Sequence, residues 1–287
     1  MSVYNRFYGF RENPFNPTPD SSFFFPSPKH QSALDALVYA VKQRKGFVVV
    51  TGEVGSGKTT VGRKLLRQLG PNMKTAVVTH TSLTPKGILT LILDDLGVEF
   101  RDGSKASLLM QLNEYLMVQA RQDQDVILMI DEAQNLSLEC LEEVRMLSNL
   151  ETEKQKLIQI ILMGQPELRK KLESPRLEQL RQRVAISYHL QALDAAETKQ
   201  YVIHRMNLVK ASDRDMGTLF EDSCFELIYQ HSRGLPRLIN RLCDHVLLTG
   251  FVGNAQTINT FIILEAMEEL RLQTQQEKNN EQIYQSA

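Results

Sequence analysis

The segment GEVGSGKTT, Gly52 to Thr60, restricts the fold of this chain more than any other stretch. It follows FVVVT (47–51), a short β-branched run, and leads into a helical pattern from about Lys58 to Leu69. A glycine-rich turn in that context lets backbone N–H groups converge on phosphate oxygens, and the helix behind it points its positive end at the same anion. Gly52, Gly57, Lys58 and Thr59 match the spacing G-x-x-x-x-G-K-[ST]. With Glu53, Val54, Gly55, Ser56 and Thr60 they form the candidate phosphate loop. Lys58 is expected to reach the β and γ phosphates of ATP, and the Thr59 hydroxyl to ligate Mg²⁺.

The second chemical signal is VILMIDEAQ (126–134). An apolar run ending in two acids places Asp131 and Glu132 at the C-terminal edge of a buried strand, where open parallel sheets bind their ligands. Asp131 is expected to serve the Mg²⁺ site, and Glu132 to orient and polarise a water for attack on the γ-phosphate. The acid pair favours hydrolysis over phosphoryl transfer to a metabolite.

Around these motifs apolar runs alternate with helical patterns. TAVVTHT (75–81), LIQIILMG (157–164) and VAISYHL (184–190) read as further strands. Helices are expected over the Leu34–Val41 stripe, ending near Gly46, and near 85–96, 105–122 and 137–151. That alternation indicates an α/β fold, a parallel five-stranded sheet covered by helices on both faces. After about Leu193 the strands stop, and helical patterns cover roughly 194–211, 221–232, 236–249 and 258–272. Four segments follow: an aromatic and Pro-rich stretch (1–29), a nucleotide-binding α/β domain (30–192), an all-helical lid domain (193–272) and a disordered polar tail (273–287).

Composition narrows the setting. Lys plus Arg is 33 and Asp plus Glu is 34, so the net charge is −1. Near neutrality argues against coating DNA or an anionic membrane through overall charge. Three scattered cysteines, without a CxxC pair, suit reduced thiols rather than a zinc or disulfide framework. His204, His231 and His245 lack metal-like spacing, and His30 precedes the first amphipathic pattern as an exposed or capping residue. The longest apolar runs fall well short of the ~20 residues that span a bilayer. A cytoplasmic protein is expected, possible at the inner membrane only through a partner.

With both motifs in place the chain resembles the AAA+ P-loop NTPases, and more closely the general secretion pathway ATPases of the ExeA/GspA type. The resembling stretches include FYGFRENPFNPTPD (7–20), MIDEAQNL (129–136), RMLSNLE (145–151), ILMGQPELRKKL (161–172), LEQLRQRVAISYHL (177–190) and GLPRLINRLCD (234–244). The resemblance implies roles for residues that spacing alone leaves anonymous. Gln165 falls where the class places its γ-phosphate sensor, although Asn, Ser or Thr is usual there. Arg181 or Arg183 falls where an arginine reaches the nucleotide of a neighbouring subunit, which implies a homo-oligomer. Arg237 in GLPR matches the lid arginine that touches the γ-phosphate. The N-terminal aromatics, Phe10 and Phe15 among them, are implied to lie near the adenine.

By the same resemblance the expected function is Mg²⁺-dependent ATP hydrolysis that remodels or assembles an envelope secretion, pilus or exopolysaccharide export machine, through a protein partner. Secretion-pathway relatives often continue into a membrane segment and a peptidoglycan-binding domain. This chain ends without them, which points to the stand-alone pilus or exopolysaccharide versions. The alternative is a DNA-associated AAA+ ATPase, a transposition helper or clamp-loader-like factor, for which nucleic acid would be the partner. A third reading, a nucleotide switch that hardly hydrolyses ATP, is disfavoured by Glu132.

Overall fold

The computed structural model describes residues 3–18, 20–70, 72–81, 83–153, 155–211 and 215–285, with side chains described through Leu272. The chain divides into two compact units: Pro28–Gln191, and Met1–Ser27 together with Ala192–Ala287. The N-terminal segment is therefore no separate piece. Its short helix α1 (Asn5–Tyr8) and a 3-10 turn at Ser21–Phe23 belong to the unit that contains the C-terminal helices.

The α/β unit begins with α2 (Pro28–Lys42), then β1 (Phe47–Gly52), α3 (Lys58–Gln68) and β2 (Met73–Val78). It continues with α4 (Pro85–Asp95), α5 (Lys105–Arg121), β3 (Asp125–Ile130) and α6 (Leu138–Leu147). β4 (Gln159–Gly164), α7 (Pro166–Leu172), α8 (Glu178–Arg183) and β5 (Val184–Leu190) complete it. All five strands are parallel, in the order β2-β3-β4-β1-β5. Helices starting at Pro85, Lys105 and Leu138 are capped by Thr84, Ser104 and Ser137, whose side chains accept backbone N–H groups. Each such cap satisfies a donor that the first turn leaves orphaned.

Strand position explains the sequence patterns. β1 and β4, flanked on both sides, are buried at every residue, whereas the edge strands β2 and β5 alternate between more and less buried positions. Side chains of a strand alternate faces. Phe47, Val49, Leu128, Ile130, Ile160 and Leu162 join Ile88, Ile92, Leu112 and Leu141 in one core with α4, α5 and α6. On the opposite face α3 lies close against the sheet at Gly62, where a Cβ would stand 2.9 Å from Met163 Sδ and 3.0 Å from Met129 Sδ. Each fully buried aliphatic side chain contributes about 1.5–3 kcal/mol.

The helical unit comprises α9 (Ala195–Val209), α10 (Asp222–Ser232), α11 (Pro236–Val252) and α12 (Thr260–Gln285). Asp194 and Glu197 form a reciprocal capping box at the start of α9. α12 extends beyond the expected end near 272, through residues expected to be disordered; Gln, Glu and Lys, abundant there, are good helix formers. Tyr4, Tyr8, Phe10 and Phe15 are buried in one core with Val202, Met206, Leu242 and Val246. Arg205, 6% exposed, donates to the carbonyl of Pro14 (2.5 Å) and to the Tyr201 hydroxyl (3.0 Å). The N-terminal segment is thus held by apolar burial and by a buried guanidinium together. Among the described residues no helix is long and apolar enough to cross a membrane. Cys140, Cys224 and Cys243 are buried free thiols, and burial pushes Cys224 up to about 11.

Candidate nucleotide site

Three neighbouring strands, β3, β4 and β1, end in the residues that the sequence singles out. Register places Thr51 beside Gly164 and Ile130 beside Leu162, so the loop after β1 and the acids after β3 flank the end of β4. The loop itself needs two left-handed glycines, Gly55 (φ 78) and Gly57 (φ 100). Gly52, at the end of β1, has no room for a side chain, because a Cβ would lie 2.7 Å from the Leu190 carbonyl. Glu53 and Val54 face outward at the tip, and Val54 is 49% exposed. The Ser56 side chain is wholly buried, and its N–H donates to the Glu53 carbonyl at 3.1 Å.

Lys58, Thr59 and Thr60 form the first turn of α3. The Lys58 ammonium donates to the carbonyls of Gly52 (2.8 Å) and Glu53 (2.9 Å) and is only 5% exposed. Burial lowers its pKa from the ordinary value, against the opposing pull of Glu132, Asp131, Glu53 and Glu167. A desolvated cation beside a helix N-terminus is suited to bind a phosphate, which would replace the lost hydration.

The Thr59 hydroxyl donates to Asp131 Oδ2 at 2.6 Å, and Asp131 Oδ1 accepts the Glu132 N–H at 2.9 Å. A hydroxyl and a carboxylate within hydrogen-bond reach form an all-oxygen donor pair. That chemistry fits Mg²⁺, which takes few protein ligands and completes its shell with water and phosphate oxygens. Glu132 stands in the left-handed region at φ 52 and ψ 35, at the head of a 3-10 turn spanning Ala133–Asn135. Such strain in a non-glycine residue accompanies functional sites. Its carboxylate Oε2 accepts from Gln165 Nε2 at 3.2 Å, so Gln165, the residue entering α7, lies beside the acid pair.

Two residues in this constellation were not assigned roles from sequence. Gln134 Nε2 donates to the same Glu132 oxygen at 2.6 Å. His30 Nε2 lies 2.9 Å from the Ser56 carbonyl and is 5% exposed, so it supports the loop rather than capping a helix in solvent. Their motif neighbours marked Gln134; no local signal marked His30, because its partner is 26 residues away.

The expected arginines separate. Arg183 Nη1 donates to the buried Ser148 hydroxyl at 2.6 Å, whereas Arg181 is exposed at the end of α8. Arg237 is exposed in the first turn of α11, in the helical unit. Phe10 and Phe15 lie in the N-terminal segment, within the helical unit. At 4% and 1% exposure they are core residues of the helical unit, since large aromatic surfaces gain most from complete burial.

A family profile described as "AAA domain" matches residues 41–172, the stretch that contains the phosphate loop, Asp131, Glu132 and Gln165. The chain is 35% identical over 268 residues to the general secretion pathway protein A of Aeromonas hydrophila, covering 93% of this chain and 48% of that protein. It therefore spans about half the length of this relative. Among solved structures, the Aeropyrum pernix ORC2 protein in its ADP form is similar with a TM-score of 0.69 at 17% identity, over 91% of this chain and 73% of that one. The RuvB Holliday junction branch migration motor of Thermotoga maritima gives 0.58 at 23% identity, over 85% and 69%. At these identities both show the fold alone, a parallel five-stranded α/β body accompanied by a helical part. The resemblance to general secretion pathway protein A expected from the motifs holds over 93% of this chain.

Proposed function

We propose that this protein hydrolyses ATP and uses the hydrolysis cycle to remodel or assemble a protein partner in an envelope secretion, pilus or polysaccharide export machine. The observation that carries the chemistry is the meeting of Lys58 and Thr59, after β1, with Asp131 and Glu132, after β3, across the end of β4. The AAA domain supports nucleotide binding, and the relative named general secretion pathway protein A supports the process.

In this reading the loop N–H groups and Lys58 hold the phosphates. Thr59 and Asp131 would hold Mg²⁺, which when bound neutralises charge on the phosphate oxygens. Glu132 accepts a hydrogen bond from a water whose oxygen attacks the γ-phosphorus; the bond to the bridging oxygen breaks, and ADP and phosphate leave. Gln165 senses the γ-phosphate. Arg181, exposed where Arg183 is engaged by Ser148, is the better candidate to reach a neighbouring subunit's nucleotide in a homo-oligomer. Arg237 is assigned to the γ-phosphate as the lid arginine. The protein acts in the cytoplasm, at the inner membrane through its partner.

The test is phosphate release from ATP with and without Mg²⁺, for the parent and for Lys58→Ala. Mg²⁺-dependent release that Lys58→Ala abolishes, together with its ATP binding, supports the reading; unchanged ATP affinity in the variant sinks it. Running the assay with and without DNA at physiological salt separates a protein-directed ATPase, indifferent to DNA, from one stimulated by it.

A further inference from the structure

The Gln134 carboxamide is engaged at both of its ends. Nε2 donates to Glu132 Oε2 at 2.6 Å, while Oε1 accepts the Gln165 N–H at 3.0 Å. Gln165 Nε2 donates to the same Glu132 oxygen at 3.2 Å, which closes a ring of three residues across the ends of β3 and β4. The backbone under Gln134 is also held. Lys171, reaching from α7, donates to the carbonyls of Gln134 (2.5 Å) and Leu136 (2.8 Å), pinning the 3-10 turn. Gly164 leaves the space that the amide fills, since a Cβ there would stand 2.7 Å from Gln134 Oε1.

A glutamine is well matched to this position. A carboxamide can donate to a carboxylate with one end and accept a backbone N–H with the other. A carboxylate that must orient a water gains from having its rotamer fixed, because small misplacements of a reacting group are expensive. Glu132 sits on a strained backbone at φ 52, a conformation that persists only where surrounding groups hold it.

We infer that Gln134 is a positioning residue for Glu132, holding the carboxylate by one oxygen and tying it to Gln165 at the end of β4. The inference rests on the reading of Glu132 as the water-orienting group. A change at Gln165, as on contact with a γ-phosphate, is then transmitted to Glu132 through a hydrogen-bonded ring rather than through the backbone.

The experiment is a double-mutant cycle on steady-state ATP hydrolysis, with affinity for a non-hydrolysable ATP analogue and thermal unfolding measured for every variant. Gln134→Ala is expected to lower kcat by about 10- to 100-fold, with KM within about threefold of the parent. Gln134→Glu keeps the size and the acceptor for the Gln165 N–H but removes the donor to Glu132, and is expected to lose kcat likewise. In a Glu132→Gln background the further loss from Gln134→Ala should disappear, because the group it acts through is gone. A parent-like kcat in Gln134→Ala overturns the inference, as does an equal fold loss in both backgrounds, which marks a role independent of Glu132. Full turnover by Glu132→Gln alone overturns it through the underlying reading, and is told apart because that result involves no change at Gln134. Should Gln134→Ala unfold, the isosteric Gln134→Glu decides by the same comparison.

Discussion

Gly57→Ala tests how strictly the phosphate loop depends on its backbone. Gly57 has φ 100, and a Cβ there would lie 3.0 Å from His30 Nε2 and 3.4 Å from its Cδ2. The imidazole is held at that place by the Ser56 carbonyl, 2.9 Å away. Left-handed backbone costs a residue with a Cβ roughly 1–2 kcal/mol. Displacing His30 forfeits a hydrogen bond contributing about 0.5–1.5 kcal/mol. If the loop relaxes away from this shape in the free protein, ATP must restore it. Affinity for a non-hydrolysable analogue, measured by titration calorimetry, should therefore fall about 10- to 300-fold, at one decade per 1.4 kcal/mol. Gly46→Ala is the control: φ is 83, but a Cβ there meets nothing within 4 Å, and the residue precedes β1 at the end away from the loop. It should bind the analogue as the parent does. In a His30→Ala background Gly57→Ala should cost only its backbone part. An affinity for Gly57→Ala within about threefold of the parent would refute the claim that this loop shape is required.

Other perturbations follow from the same geometry. Gly234→Ala should cost the helical unit at least about 4 kcal/mol, since at φ 71 its Cβ would fall 1.8 Å from the Leu193 carbonyl oxygen. Gly97→Ala, at φ 69 with open space, should cost only about 1–2 kcal/mol; equal losses in urea unfolding would contradict the clash. Burial lowers the Lys58 pKa from 10.5, and bound phosphate favours the ammonium, so ATP affinity is full where Lys58 is protonated and falls as pH rises through its lowered value. Calorimetry on the alkaline side should show proton uptake on binding, and a flat affinity there would count against a phosphate contact. Arg181→Ala should leave stability within about 0.5 kcal/mol of the parent yet remove on the order of 10³ in turnover. Arg183→Ala should instead destabilise by about 1 kcal/mol, the loss of one hydrogen bond, since the Ser148 hydroxyl still donates to the Arg145 carbonyl. A parent specific activity that stays flat as protein concentration rises would contradict an arginine acting in trans.

Much of the α/β body was legible because its signals are local. The phosphate loop, Asp131 and Glu132 lie within short motifs, and the buried runs of β1 and β4 advertise central strands. β2 was harder to delimit: its first residues, Met73 and Lys74, lie on an edge strand where burial alternates and polar residues are tolerated. Partnerships across long sequence gaps were not legible. Gln134 takes its meaning from Gln165 and from the missing Cβ of Gly164, and His30 from Ser56. Aromatic richness at the N-terminus announced burial without saying in which core, and the helical unit took Phe10 and Phe15. The run of polar residues after Leu272 carried no apolar stripe, so its helix went unread.

The most direct test of the central claim is Glu132→Gln under single-turnover conditions with ATP and Mg²⁺. An uncharged isostere leaves Lys58, Thr59 and Asp131 in place but weakens the group that polarises the water. The account requires ATP affinity close to that of the parent and hydrolysis at least ~100-fold slower. Turnover at the parental rate with ATP bound would contradict it.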